Sequence, residues 1–272
     1  MSKTIFITGA SRGFGKFWTE AFLKRGDNVV ATARDIRSLD DFTNRYENKF
    51  HPIQLDVNNR QSDFEAVQQA VNKFGRIDVL INNAGYGLFG TIEETSEKEA
   101  RDQMETNFFG LLWLTQAVLP FMRQQGHGHI IQVSSVLGLV TLPVMGVYNA
   151  SKFAVEGLSE TLATEVKNFG INVTLVEPNG FNTEWAGSSA ISTQPLPLYD
   201  HSRKELDMLL SERPFGDPAA TTNAILKLVD SQNPPLRLIL GKVAYPWIKN
   251  IYKERYATWD AWSEVSIEAQ GN

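Results

Sequence analysis

Near its start the chain runs from a short β-rich apolar segment, Thr4-Ile5-Phe6-Ile7, through a loop containing three glycines into helix-forming residues from Lys16 to Arg25. The loop reads Thr8-Gly9-Ala10-Ser11-Arg12-Gly13-Phe14-Gly15. A strand, a glycine-rich turn and a helix start, in that order, point backbone N–H groups and the positive end of a helix dipole at a place where a pyrophosphate can sit. The spacing Gly9-x-x-x-Gly13-x-Gly15 departs from the commoner Gly-x-Gly-x-x-Gly. Taken alone, the loop is equally consistent with glycines that only turn the chain.

The alternation continues to the far end. Asn28 to Ala33, Phe50 to Leu55, Ile77 to Ile81, His129 to Ser134, Ile171 to Val176 and Leu236 to Leu240 read as strands. Helical patterns occupy Asp35 to Glu47 (the weakest), 60 to 74, about 97 to 124, Tyr148 to Phe169, Pro218 to Asp230 and about 242 to 264. This order predicts an α/β fold: one Rossmann-type domain over 1–272, a doubly wound parallel sheet with helices on both faces. Ligands bind such sheets beyond the carboxyl ends of the strands. The glycine loop, Asp56, Asn82 to Gly85, Ser134-Ser135 and Pro178 to Thr183 each follow a predicted strand and are expected to converge there. Residues 184–216 break the alternation with serines, a glycine and two prolines ahead of a helical pattern from Tyr199 to Leu210. An irregular insertion of that length is expected to act as a lid.

Tyr148-Asn149-Ala150-Ser151-Lys152 supplies the chemistry, with Ser135 thirteen residues upstream of the tyrosine. Tyr148 and Lys152 are four apart, so on a helix they share a face. An ammonium beside a phenol favours the phenolate, so Lys152 is expected to lower the pKa of Tyr148 and make it a proton donor and acceptor near neutral pH. Ser135 would hold a carbonyl or hydroxyl oxygen. Tyr-x-x-x-Lys by itself is common by chance.

With the glycine loop it is more specific. Residues 3 to about 183 resemble the short-chain dehydrogenase/reductase family in five ordered elements: Thr8 to Gly15, Asn82-Asn83-Ala84-Gly85, Asn107, Ser135, and Tyr148 with Lys152. The resemblance implies catalytic Ser135, Tyr148 and Lys152, with Asn107 helping to hold a water linked to Lys152. It implies a nicotinamide dinucleotide against Gly9, Ser11, Arg12, Gly13, Phe14 and Gly15. Asp56 and Val57 would border the adenine, and Asn83, Ala84 and Gly85 the ribose and nicotinamide side. Tyr148 and Lys152 would meet the nicotinamide ribose, and Pro178, Asn179, Phe181 and Thr183 the carboxamide end. Substrate would meet Ser135, Leu137, Tyr148, Asn179 and Trp185. The family usually has glycine where Asn179 stands, so Asn179 either takes positive φ or reaches into the substrate cavity. Trp185 either packs the lid or touches substrate.

Ala33 ends the second strand where NAD-preferring enzymes carry an acid, and Arg34 follows it. Arg34 and Arg12 facing one phosphate predict NADP(H), unless Asp35 pairs with Arg34. The expected activity is reduction of carbonyls by NADPH. Trp185, Ile191, Leu196, Leu198, Tyr199, Met208 and Leu209 in the lid, with Leu137, Leu142, Val144 and Met145 below, predict a preference for bulky apolar ketones. An epimerase or dehydratase, and a non-catalytic dinucleotide sensor, are the alternative readings.

A net charge of −5 and a pI near 5.5 disfavour nucleic-acid and anionic-membrane surfaces. The chain has no cysteine, which removes thiolate catalysis and cysteine-based zinc sites. His127-Gly128-His129 reads as a turn before a strand, with no metal expected. A soluble, cytoplasmic homodimer or homotetramer acting on a small carbonyl or alcohol is the expectation.

Overall fold

The computed structural model describes residues 2–187, 189–211 and 215–271. Seven strands lie in one parallel sheet: β1 (Thr4–Ile7), β2 (Asn28–Ala33), β3 (Phe50–Gln54), β4 (Val79–Asn82), β5 (Gly128–Val133), β6 (Ile171–Pro178) and β7 (Arg237–Leu240). Their spatial order is β3-β2-β1-β4-β5-β6-β7. The reversal between β1 and β4 opens a crevice at the carboxyl ends of those two strands, where the glycine loop leaves β1.

Period-two alternation sorts the core into two layers. Ile5 and Ile7 of β1 face Trp18 and Phe22 of α1 (Gly13–Arg25), while Phe6 faces the opposite way. That second layer joins Val67 and Ala70 of α3 (Arg60–Phe74) to Leu114, Val118 and Met122 of α5 (Gly110–Gln125). Each such side chain buried contributes on the order of 1.5–3 kcal/mol. The 60–74 helix appears with the expected bounds, Val67 buried and Phe64, Val71 and Phe74 packed around it.

Elsewhere the elements differ in detail. The weak 35–47 helix resolves into a 3₁₀ turn, Ile36–Leu39, and a short α2, Asp40–Arg45. The 97–124 helix is interrupted: α4 (Glu97–Met104) passes through a π turn at Glu105–Phe109 into α5. α6 (Gly146–Val166) begins two residues before Tyr148. The lid carries α7 (Asp200–Ser211), followed by α8 (Thr222–Asp230) and α9 (Ala244–Ala261). A further helix, α10 (Ser263–Glu268), begins at the predicted end of the C-terminal one and extends beyond it. Among the described residues no helix is long and apolar enough to cross a membrane.

Candidate active site

A cavity of about 1080 Å³ opens at the carboxyl ends of the strands. Nearly every residue singled out from the sequence lines it, from Gly9 and Ser11 through Arg34, Asp56, Ser135 and Tyr148 to Thr183 and Trp185. Gly15 and Asn107 do not.

The glycine loop is shaped by three separate constraints. Gly9 and Gly13 hold φ of +65° and +52°, which favours glycine. A Cβ on Gly15 would lie 2.3 Å from the Gly9 carbonyl oxygen, so this glycine lets α1 close onto β1. Asn83 donates to the Thr8 and Gly9 carbonyls at 2.8 and 3.1 Å, and the Thr8 hydroxyl accepts from the Asn83 and Ala84 N–H groups. Asn83 therefore ties the end of β4 to the end of β1. No side chain caps the start of α1 and no acid stands in its first turn, leaving its N–H groups turned to the cavity.

Arg12 and Arg34 line the cavity and are exposed, without an ion pair among the described residues. Asp35 does not pair with Arg34. Its carboxylate accepts from Arg37 Nε and Nη2 at 2.9 and 2.8 Å. Asp56 is exposed on the cavity wall and accepts the Asn58 N–H at 3.1 Å. The loop's aromatic, Phe14, stacks on Trp18 and meets Phe181 edge-on.

Ser135, Tyr148 and Lys152 are buried together at the inner end of the cavity. Lys152 Nζ donates to the Val133 carbonyl at 2.8 Å and lies 5.8 Å from the Tyr148 ring centre. Burial pushes Tyr148 above its ordinary value, and hydrogen bonding with Ser135 pulls it back only in part. Burial lowers Lys152 to about 8, partly opposed by Glu156. The expected lowering of Tyr148 by Lys152 is thus reversed, because burial penalises the charged forms of both groups. Tyr148 is a neutral phenol near pH 7, suited to giving a proton.

Asn107 sits in the π turn, just behind Gly85 of the cavity wall. Its amide accepts the Tyr86 N–H at 3.1 Å and donates to the Tyr86 carbonyl and the Ser151 hydroxyl. A Cβ on Gly85 would fall 3.0 Å from Asn107 Oδ1 and 3.9 Å from Lys152 Nζ, so glycine there keeps a side chain out from between the two.

Asn179 does not adopt positive φ: among the described non-glycine residues only Val144 does, at 62°. Its amide lies over Gly241 at the end of β7, where a Cβ would come 1.2 Å from Asn179 Oδ1, while the residue still borders the cavity. Trp185 packs the lid onto the body and also borders the cavity. Its ring packs on Phe89 at 5.7 Å and on Tyr148 at 4.9 Å while lining the cavity. Leu137, Leu142, Met145 and Ile191 join it there, but Leu198 and Met208 are 61% exposed and face solvent, so the apolar wall from the lid is smaller than expected.

Three features have no local signal in the sequence. The lid is stitched to the body by a two-residue parallel ladder between Leu88–Phe89 and Ile191–Ser192. Glu94, whose side chain is fully buried, accepts the N–H groups of Thr91 and Leu196 at 2.8 and 2.7 Å and pairs with Arg203. Burial alone would raise its pKa, yet these donors hold it at about 2. Val243 and Trp247 at the start of α9 also reach the cavity. Behind Lys152, Glu156 and Glu177 are buried with Arg237 bridging them at 3.2 and 3.3 Å. His127 and His129 bond to Asp78 and Thr174 respectively.

A family profile described as short chain dehydrogenase matches residues 3–192. The chain belongs to that family. This short-chain dehydrogenase is 41% identical over 241 residues to a 3-ketodihydrosphingosine reductase of Bacteroides thetaiotaomicron, covering 87% of each chain. A crystal structure of a short-chain dehydrogenase from Streptomyces avermitilis superposes with a TM-score of 0.92 at 37% identity over 98% of both chains. ElxO with NADP bound superposes at 0.75 and 29% identity, over 88% of this chain and 96% of that one. The oxidoreductase fold and its seven-stranded parallel sheet are therefore the family's.

Proposed function

We propose that this oxidoreductase reduces ketones to alcohols with NADPH and prefers bulky apolar substrates. The observation that carries the reading is that Ser135, Tyr148 and Lys152 share one cavity with an uncapped helix N-terminus and two guanidiniums that have no ion pair among the described residues. Arg12 and Arg34 would hold the adenosine 2′-phosphate, with Asp56 and Val57 at the adenine and Pro178, Phe181 and Thr183 at the carboxamide. Lys152 would hold the nicotinamide ribose. The NADP-bound state of ElxO supports this choice of cofactor.

Bound NADPH supplies the hydride. Tyr148 gives its phenolic proton to the carbonyl oxygen as charge develops there, and Ser135 holds that oxygen by hydrogen bonding. Lys152, with a pKa near 8, restores the proton, and Asn107 across Gly85 orders the path outward. Trp185, Leu137 and Met145 exclude water around the reacting carbon. The ketone-reductase relative supports the carbonyl assignment. Homodimer or homotetramer assembly belongs to the same reading.

The test is cofactor consumption over ketones of rising apolar size, with NADPH and NADH side by side. NADPH-dependent turnover that climbs with size is expected. Turnover without net cofactor consumption would favour an epimerase or dehydratase, and NADPH binding without turnover a dinucleotide sensor.

A further inference from the structure

The last two helices leave the body of the protein. α9 is anchored through buried Ala244 and Ile248, but from Lys253 to Gly271 every residue except half-buried Arg255 is exposed. Tyr256, Trp259 and Trp262 are each more than half exposed, and Tyr252, Tyr256 and Trp259 stack edge-on along the helix at 6.3 and 5.5 Å. A shallow groove lined by Lys249, Tyr252, Lys253, Tyr256, Ala257 and Asp260 follows this face. Glu264 lies four residues beyond Asp260, past the Trp262 junction between α9 and α10.

The charges on that face are arranged badly for a lone helix. Lys249 and Lys253 are like charges one turn apart on α9, a spacing that repels, and Asp260 and Glu264 are like charges four residues apart across the α9–α10 junction. The bases stand toward the N-terminus and the acids toward the C-terminus, against the helix dipole. None of the four has an ion pair or side-chain hydrogen bond among the described residues. A second copy laid antiparallel resolves all of this at once. With the two-fold axis between Tyr256 and Ala257, Lys253 meets Asp260 of the second copy and Lys249 meets its Glu264, and symmetry repeats both pairs. The aromatic stripe supplies the apolar contact between them.

We propose that α9 and α10 form a self-association surface on which two copies of this chain pair antiparallel, centred between Tyr256 and Ala257. The chain's net charge of −5 and the acids at Asp260, Glu264 and Glu268 disfavour the other obvious occupant of an aromatic helix, an anionic membrane. The surface is separate from the catalytic cavity.

Because the chain has no cysteine, a single Ala257→Cys reports on this contact alone. Packed helix axes about 8–10 Å apart bring facing Cα atoms within disulfide reach. The full-length Ala257→Cys protein should form a covalent dimer on mild oxidation at micromolar concentration. Adding Lys253→Glu or Asp260→Lys should slow that reaction roughly tenfold or more, since two symmetric pairs become repulsive. Both changes together, or a mixture of the two single charge variants, should restore it. Sedimentation of the same charge variants without the cysteine gives a second reading of the same pattern, with circular dichroism confirming the fold. Absence of the dimer, a reaction indifferent to the charge reversals, or binding of the chain to phosphatidylcholine–phosphatidylserine vesicles that Trp259→Ser abolishes would each overturn the proposal.

Discussion

The indole of Trp185 lies 4.9 Å from the ring of Tyr148, so the lid is in direct contact with the residue proposed to give the proton. Gly87 and Phe89 form the other side of the slot, where a Cβ on Gly87 would come 2.7 Å from the indole. Trp185→Ala removes this wall. With about 0.8 kcal/mol for each methylene buried, the specificity constant for the bulkiest ketones should fall ten- to a hundredfold while acetone-sized ones change little. A uniform change across a graded series would show that the lid does not select by size.

Tyr148→Phe keeps the ring and its packing while removing the proton. Turnover should fall by about 10²–10⁴-fold, with NADPH binding retained. Fluorescence titration and steady-state kinetics on one preparation separate the two effects, and near-parental turnover would remove Tyr148 from its role.

Among the described residues Arg34 has no ion pair, and Asp35 is held by Arg37. Arg34→Ala should therefore raise the Michaelis constant for NADPH by about tenfold with little effect on NADH, the loss of one charge-assisted contact. Ala33→Asp should weaken NADPH use further by repelling the 2′-phosphate. A parent enzyme that prefers NADH would contradict this reading outright.

Glu94 fastens the lid through Leu196 and Arg203, residues more than a hundred positions away. Glu94→Ala leaves two part-buried N–H donors, those of Thr91 and Leu196, without their acceptor. The lid should detach: the Michaelis constant for bulky ketones should rise more than kcat falls, and limited proteolysis within 189–211 should quicken. Glu94→Gln, which can still accept from Leu196, should fall between the two. Unchanged proteolysis in the alanine variant would show that the lid is held otherwise.

Glu177 is fully buried beside Glu156, and both burial and that neighbour raise its pKa well above the usual carboxylate range. The folded protein then keeps a proton that the unfolded chain has already lost. Its contribution to stability is full at acid pH and is lost as pH rises through the raised value. Glu177→Gln should flatten that decline. Thermal unfolding followed from pH 5 to 9 should show the parent melting point falling with pH and the variant's changing less.

Much of the fold was legible in the sequence because its determinants are local. The run into Gly9 and Gly13, the 3-4-3 spacing of α3 and the strand preceding each predicted loop fix the order of elements, and parallel topology then gathers the loops at one edge. The same reasoning selected residues that line the cavity, with Gly15 and Asn107 falling behind it: Gly15 meets Gly9, and Asn107 meets Tyr86. Only the tertiary structure decided the rest. The sign of the shift at Tyr148 depends on how much water burial removes, and a four-residue spacing carries no measure of that. Asn179 lies over Gly241, Glu94 holds Leu196, and α9 brings Trp247 to the cavity, each joining segments far apart along the chain. Periodicity reports which way a side chain faces on its own element. Packing and desolvation depend on what the rest of the chain sets against it.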